Sequence, residues 1–232
     1  MPEQYPVFVP VRDRVTPLRQ LVDWLERAGQ EHIWLIDNAS TYEPLLDYLA
    51  ATPHHVVRLD HNLGHRSPWL SGTVQRHAHL RWFVVSDPDV VPDDDCPVDA
   101  LDHLRAALER HHGYHKAGLG LRIDDLPDHY PLAEQVRAWE ARFWDHEIEP
   151  GLYHADVDTT FAMYKPLEIR HRDDHALRTG APYLARHLPW YLDPSALTDE
   201  DRHYRTHADP TMSNWDRDRL PRWKQRWLAD RA

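Results

Sequence analysis

The feature that most constrains the fold is the alternation of short apolar segments with amphipathic segments over residues 1–110. "YPVFVPV", "HIWLID", "HVVRL" and "RWFVVSD" are short and rich in β-branched and aromatic residues, which indicates buried strands. Between them lie segments with helical spacing such as "TPLRQLVDWLERAG", where Pro17 suits the first turn and Gly29 the end. This alternation predicts an α/β fold with a parallel sheet covered by helices on both faces.

The second half of the chain is less regular. "KAGLGLRI" is predicted to be a strand, "LAEQVRAWEARFWDHEI" a long helix, and "GLYHADVDTTFAMYKP" one strand or a hairpin. The sequence contains no repeat and no Gly/Ser-rich or Pro-rich linker between the halves. We therefore expect one domain over residues 1–232.

Composition narrows the class of protein. The net charge of −11 argues against a general nucleic-acid partner, which needs a basic face, but a local cation or arginine still permits an anionic nucleotide. No apolar run is long enough for a transmembrane helix, and the N-terminal residues lack the pattern of a signal peptide. A single cysteine, Cys96, excludes an internal disulfide framework and fits a reducing compartment, so we expect a cytoplasmic protein.

The residues that could bind a ligand or take part in catalysis lie at the ends of the predicted strands, because ligands of such sheets bind beyond the carboxyl ends of the strands. In "SDPDVV", Asp87 and Asp89 follow the fourth strand, and carboxylates of this kind bridge Mn²⁺ or Mg²⁺ to the phosphates of a substrate. The alternative is that the Asp-Pro-Asp segment is a turn whose acids face water.

Two further strand ends are polar. Asp37 and Asn38 follow the second strand and can hydrogen-bond a ribose or a base, although a strand followed by Asp-Asn is also a common turn. "DHNLGHRSPW" follows the third strand. In it, Gly64 permits close backbone approach and Arg66 can meet a diphosphate.

Taken together, "VPVRDR", "IDNAST", "NLG" and "VVSDPDVV" occur in an order that resembles the nucleotide-sugar-dependent glycosyltransferases of the GT-A fold. The resemblance is strongest to the large family-2-type group that contains bacterial cellulose- and lipopolysaccharide-type transferases, and it covers about the first 95 residues. It implies a single Rossmann-like GT-A domain, with a nucleotide-binding half at 1–110 and an acceptor-side half at 111–232. The nucleotide-binding residues that it implies are Pro10, Val11, Arg12, Asp37, Asn38, Asn62 and Arg66.

The same resemblance implies a metal-dependent enzyme. A nucleotide-sugar donor and Mn²⁺ or Mg²⁺ would meet at Asp87 and Asp89, and the acceptor would be a carbohydrate, a lipid-linked molecule or a small molecule. Enzymes of this fold often take a third metal ligand, commonly histidine, from near the C-terminal end. His187 in "ARHLPWY" is the candidate, and a core histidine with a satisfied hydrogen bond is the alternative.

The acceptor side is implied by "YHADVDTTFAMYKP", which resembles the family's acceptor-side strand. If the enzyme inverts the anomeric centre, Asp158 is the first candidate for the general base and Asp156 the second. We expect their proximity to raise one of their pKa values. A retaining enzyme needs no such base. Two departures from the family bear on this point: Asp13 stands where Asn is frequent, and the usual acidic pair on a later helix has no counterpart.

Aromatic and hydroxyl side chains are candidates for contacts with a sugar, because aromatic rings stack on sugar faces. Burial in the core is the alternative for each tryptophan. The tail "NWDRDRLPRWKQRWLADRA" is a candidate for peripheral membrane contact or for a lid over the nucleotide, and a docked, solvated helix is the alternative. The candidate sugar-facing residues are Trp69, Thr159, Trp190 and Tyr191.

Two other functions stay open at this stage. A catalytically inactive module that binds a nucleotide sugar would carry the same donor motifs. A sugar-nucleotide pyrophosphorylase shares a similar sheet, but it would need a glycine-rich phosphate loop after the first strand, and "VPVRDRVTP" has no glycine.

Overall fold

The computed structural model describes residues 3–208 and 222–229, and it describes their side chains except at 222, 223 and 228. Its centre is a ten-stranded sheet in the order β3-β2-β1-β4-β9-β6-β10-β8-β7, with β5 paired to β10. The strands are β1 Val7–Val11, β2 Ile33–Asp37, β3 His55–Arg58, β4 Phe83–Val85, β5 Val90–Pro92, β6 Lys116–Leu121, β7 Glu147–Glu149, β8 Leu152–His154, β9 Ala162–Tyr164 and β10 Ala176–His187.

Helices cover the sheet on both faces. Alternate residues of β1 show this: Val7 and Val9 belong to one apolar cluster with α1 and α5, whereas Phe8 belongs to a second cluster with α3 and α4. The helices are α1 Thr16–Arg27, α2 Glu43–Ala51, α3 Ser67–Leu70, α4 Thr73–His77, α5 Ala100–Arg110, α6 Ala133–Ala141, α7 Asp199–His207 and α8 Arg222–Ala229.

The strand directions confirm the predicted α/β class. β1, β2, β3 and β4 are mutually parallel in the order 3-2-1-4, the order of a Rossmann-like half-sheet. β6 and β10 continue in the same direction across the antiparallel β9, and β5 and β8 also run against them. The sheet is therefore mostly parallel and flanked by helices, as predicted for a Rossmann-like fold. The single domain over 1–232 and its division into two functional halves stay predictions.

The segment "GLYHADVDTTFAMYKP" is neither one strand nor a hairpin. It forms β8 and β9, which pair with different partners: β8 with β10, and β9 with β4 and β6. Two buried basic side chains hold the irregular stretch between β8 and β9. The Lys116 Nζ donates to the carbonyl of Val157, and the Arg178 Nε donates to that of Asp156. Buried and exposed side chains still alternate in this stretch although it is not a strand, and Asp156 and Asp158 are exposed.

Two predicted helices are also divided. "SPWLSGTVQRHA" forms α3 and α4, because Gly72 between them has a φ of 75°, a left-handed conformation that suits glycine. The long helix predicted from "LAEQVRAWEARFWDHEI" ends at Ala141 and is followed by a 3₁₀ turn and by β7.

Candidate functional site

A cleft of about 310 Å³ opens at the carboxyl ends of β1, β2 and β4. Strand ends, the loop after β3, the segment before β9, the end of β10 and helix α7 all contribute to its wall. The lining residues are Pro10, Val11, Arg12, Arg14, Asn38, Asn62, Gly64, His65, Asp87, Pro88, Asp89, Asp158, Thr159, His187, Tyr204 and Ala208.

The loop after β1 is tied to the loop after β2. The Arg12 guanidinium donates to the carbonyl oxygen of Asn38 at 2.6 Å, and the buried Asp13 carboxylate accepts the backbone N–H of Thr41 at 2.6 Å. Asp13 has a φ of 51° and Ala39 a φ of 55°, so both loops hold a non-glycine residue in the left-handed region. Such strain is kept only where the surrounding contacts fix it, and it places Arg12 on the cleft wall.

The predicted nucleotide residues Asp37 and Asn38 have different positions. Asn38 lines the cleft, and its side-chain amide holds the neighbouring loops by donating to the Ser67 hydroxyl at 3.1 Å and accepting the Leu63 N–H at 3.1 Å. Asp37 is 1% exposed and lies outside the lining; it accepts the Ser40 N–H and forms an ion pair with Arg58. The structure therefore does not bring Asp37 into the cleft, where it was predicted to contact the nucleotide, because its carboxylate closes the loop.

Asp87 and Asp89 face the cleft together. Asp87 accepts a hydrogen bond from the Thr159 hydroxyl at 2.8 Å, and Asp89 lies 3.2 Å from the Arg14 guanidinium and 3.9 Å from the His187 Nε2. The net pKa of Asp87 is raised to about 8, because burial and the charges of Asp89 and Asp158 outweigh the Thr159 hydrogen bond, which lowers it. The site therefore holds more negative charge than its own residues neutralise.

The ligand types of this set suit a divalent cation, although the three side chains are not gathered as closely as metal ligands in this structure. Two carboxylates and one imidazole are ligands that Mn²⁺ accepts, and a cation would relieve the repulsion at Asp87. Burial lowers the pKa of His187, which keeps the ring neutral and able to ligate, and its Nδ1 is buried without a hydrogen-bond partner. The structure brings Asp87, Asp89 and His187 to one wall, while their role as metal ligands stays a prediction.

The remaining acids of the run from Asp87 to Asp95 are accommodated in other ways. Asp93 is buried and forms ion pairs with Arg122 and Arg186. Asp94 and Asp95 are exposed to solvent. The acid cluster that stands out in the sequence thus separates into a cleft pair, a paired core acid and two solvated residues.

Asp158 lines the cleft, whereas Asp156 lies outside its lining. Partial desolvation within the cleft raises the pKa of Asp158, but contact with His171, the charge of His65 and the Thr159 N–H lower it by more, so the net pKa is well below its usual range. The expectation that mutual repulsion of Asp156 and Asp158 would raise one of their pKa values is therefore not met for Asp158. The raised carboxyl pKa at this site belongs to Asp87.

The predicted sugar-stacking tryptophans are core residues. Trp69 is 6% exposed and packs edge-on against Tyr164, while Trp190 is 1% exposed and packs against His187 with ring centroids 4.7 Å apart. A ring that is buried on both faces cannot stack on a ligand, so these two predictions are wrong, for the reason that burial of large apolar rings dominates.

Two more predicted residues lie away from the cleft. The Tyr191 hydroxyl donates to Asp125, and its ring borders a second, smaller pocket of about 240 Å³ beside α1. Arg66 is exposed and outside the lining. Thr159, in contrast, is a wall residue that orients Asp87.

Sequence reasoning missed Arg14 and Tyr204. Arg14 pairs with Asp89 and stacks on the Tyr204 ring at 4.0 Å, which brings α7 over the cleft. Arg14 has a signal, since it is the second arginine of "VPVRDR" at the first strand end. Tyr204 has none, because its neighbours in the sequence are those of an ordinary polar helix.

The predictions for the C-terminal tail fall mostly outside the described residues. Within it the structure describes α8, where Lys224 is buried and Trp227 packs edge-on against Trp139. Among the described helices, none combines the length and apolar character that a membrane crossing requires.

Comparison with known proteins identifies solved structures that are similar to this chain, but it assigns the chain to no family. The sequence matches no family model and no curated protein. Staphylococcus aureus TarS 1–349 has a TM-score of 0.45 at 12% identity, over 82% of this chain and 62% of that chain. Yersinia pseudotuberculosis HddC has 0.45 at 13% identity, over 74% and 82%.

A third similar structure is glucosyl-3-phosphoglycerate synthase from Mycobacterium tuberculosis, solved with Mn²⁺, uridine diphosphate and glucosyl-3-phosphoglycerate. Its TM-score is 0.41 at 13% identity, over 68% of this chain and 55% of that chain. The chain thus spans less than two thirds of the length of TarS and of this synthase. Similarities of this size leave the function to be argued from the site.

Proposed function

We propose that the chain is a glycosyltransferase that moves a sugar from a nucleoside-diphosphate sugar to an acceptor hydroxyl. The observation that carries this proposal is the convergence of an acid pair, two arginines and two side-chain amides in one cleft at the carboxyl ends of parallel strands. A nucleoside diphosphate needs polar groups for its base and ribose and positive charge for its phosphates, and this cleft offers both.

The donor would lie along the cleft from the β1 and β2 ends to the acid pair. Pro10 and Val11 provide an apolar floor, and Asn38 and Asn62 offer amide groups beside it. Arg12 and Arg14 are the cleft's arginines, and Arg14 already contacts Asp89. We place the nucleoside near the asparagines and the diphosphate near Arg14.

Asp87, Asp89 and His187 would hold Mn²⁺ or Mg²⁺. When bound, such an ion supplies positive charge to the diphosphate as it becomes the leaving group. The protein's own part is to position these ligands: the Thr159 hydroxyl fixes one oxygen of Asp87, and Trp190 packs against the His187 ring.

Asp158 is our candidate for the group that faces the acceptor. Its side chain is 65% exposed on the cleft wall, so an incoming hydroxyl can reach it. Its lowered pKa keeps it ionised at neutral pH, which allows it to accept a proton in an inverting reaction but weakens it as a base. In a retaining reaction the same carboxylate would stand beside the donor sugar without accepting the proton.

The acceptor class is proposed only broadly, as a carbohydrate, a lipid-linked molecule or a small molecule. We place the protein in a reducing, cytoplasmic environment, because Cys96 is a buried free thiol. The C-terminal tail is the segment that we propose for contact with a membrane surface, on the strength of its mixture of arginine and tryptophan.

The test is release of nucleoside diphosphate from a panel of nucleotide sugars, measured with Mn²⁺ and with EDTA. We expect one donor base to give Mn²⁺-dependent release in the parent protein and none in Asp89→Asn. Tight Mn²⁺-dependent binding of a nucleotide without any release, across a panel of acceptors, would identify an inactive binding module. Failure of every nucleotide to bind would overturn the proposal.

A further inference from the structure

Beside the acid pair, the fold brings together three side chains that are distant in sequence. His65 comes from the loop after β3, Asp158 from the segment before β9, and His171 from the loop before β10. One ligand atom from each lies within 4.8 Å of the others. None of the three is among the proposed ligands of the donor-site metal.

His171 is the most telling member of this cluster. Its side chain is 2% exposed, and its Nε2 lies 2.7 Å from an oxygen of Asp173 and 3.5 Å from an oxygen of Asp158. Burial lowers the pKa of His171, but these contacts with Asp158 and Asp173 raise it by more, so the Nε2 is paired with both carboxylates. The Nδ1 is buried without a hydrogen-bond partner among the described residues. Trp69 packs on the ring with centroids 5.1 Å apart, so the imidazole is held in place. A divalent cation can replace the proton that this ring shares with the carboxylates, because metal binding releases protons from its ligands.

The charges around the cluster suit a cation. Asp158 and Asp173 place two carboxylates on one side of the His171 ring. Burial lowers the pKa of His65 and outweighs the opposing charge of Asp158, which favours the neutral ring that a metal ligand needs.

We propose that His65, Asp158 and His171 form a second metal site, selective for zinc-like transition metals and distinct from the site at Asp87 and Asp89. Two imidazoles and one carboxylate favour Zn²⁺ over Mg²⁺, and three protein ligands leave a fourth position for water. Ligand atoms around one tetrahedral Zn²⁺ stand about 3.3 Å apart, given bonds of about 2 Å. The distance of 3.5 Å between the Asp158 carboxylate and the His171 Nε2 is already close to that spacing.

Occupation of this site would take the Asp158 carboxylate away from the acceptor. Zinc would therefore inhibit any reaction in which Asp158 acts, while Mn²⁺ at the other site would support it. The binding site itself does not depend on the proposed glycosyltransferase activity, since it is defined by metal affinity alone.

The experiment uses Co²⁺ as a spectroscopic probe and Zn²⁺ as the competitor. The full chain is stripped with EDTA, dialysed and titrated with Co²⁺, and the visible absorption of four-coordinate Co²⁺ is followed before and after Zn²⁺ is added. We expect one tight equivalent in the parent, in Asp89→Asn and in the control His61→Ala, which removes an exposed histidine from the same loop. His65→Ala and His171→Gln should each weaken Zn²⁺ binding at least tenfold.

Three results would overturn the proposal: no four-coordinate Co²⁺ spectrum in the parent, unchanged Zn²⁺ affinity in His65→Ala, or loss of the site in Asp89→Asn. Circular dichroism checks folding. If the buried His171→Gln variant fails to fold, the half-buried His65 decides the outcome alone. Failure of donor turnover with an intact Co²⁺ spectrum would refute the proposed function and leave this site standing.

Discussion

Replacing Asp87 by Asn should make the metal-free protein more stable than the parent between pH 5 and pH 8 and abolish its response to Mn²⁺. The folded pKa of Asp87 is about 8, raised by burial and by the Asp89 and Asp158 charges, whereas its ordinary value is 3.8. Between these two pH values the folded state keeps a proton that the unfolded state has lost. Stability is therefore fully present below pH ~4 and declines as the pH rises towards ~8.

The size of this decline follows from the span between the two pKa values. Each unit corresponds to about 1.4 kcal/mol, so about four units give an upper bound of about 6 kcal/mol. Water entering the cleft and the partly exposed Asp89 reduce it, and we expect about 2–4 kcal/mol. Because Asn cannot ionise, the stability of the variant should not decline in this way. Its stability relative to the parent should therefore increase from pH 5 to pH 8.

The assay is urea unfolding in EDTA at several pH values from 5 to 8, with Asp95→Asn as the control for an exposed acid of the same run. Adding Mn²⁺ with the nucleoside diphosphate should then stabilise the parent at pH 8 and leave Asp87→Asn unchanged. A stability difference that does not vary with pH would refute the raised pKa. Equal stabilisation of both proteins by Mn²⁺ would refute the role of Asp87 in holding the cation.

Three further outcomes follow from the contacts of single residues. Asp158→Asn should cut transfer at least ~100-fold while donor affinity, measured by calorimetry, changes little; full transfer would refute the base role. Asp37→Ala should lower unfolding stability by about 1–3 kcal/mol through the loss of its buried loop contacts, with nucleotide affinity per folded molecule unchanged, and a selective loss of affinity would restore Asp37 to the site. Trp190→Ala should cost about 3–5 kcal/mol of stability in thermal or urea unfolding, because it empties a core position, and a stable variant with weakened sugar binding would contradict the burial.

The donor side of the cleft could be predicted from the sequence because its residues directly follow the strands that position them. Strands alternate with helices, their carboxyl ends meet at one edge, and the polar residues at those ends are read directly from the chain. Arg12, Asn38, Asp87 and Asp89 all reach the cleft in this way. Asp37 shows the limit of the rule, since two adjacent polar residues at a strand end point to different environments.

The acceptor side was harder to predict from the sequence because long-range strand pairing determines where its residues lie. β9 inserts between β4 and β6, which removes the predicted hairpin and carries Asp158 beside His65 and His171. The sequence pattern also cannot separate a tryptophan that stacks on a sugar from one that fills the core, and Trp69 and Trp190 are core residues. The pKa of Asp158 depends on histidines from two other loops, which no local motif indicates.

The most direct test of the central claim is a thermal-shift screen of UDP, GDP, CDP and TDP, each with Mn²⁺ and with EDTA, on the parent and on Asp89→Asn. A ligand that binds only the folded state raises the melting temperature, and the rise grows with the logarithm of its concentration relative to its Kd. We predict that at least one nucleotide stabilises the parent only with Mn²⁺, and that Asp89→Asn loses this shift while keeping its melting temperature without ligand. Nucleotide stabilisation of equal size in the variant, or none in the parent, would contradict the assignment of this cleft as a metal-dependent donor site.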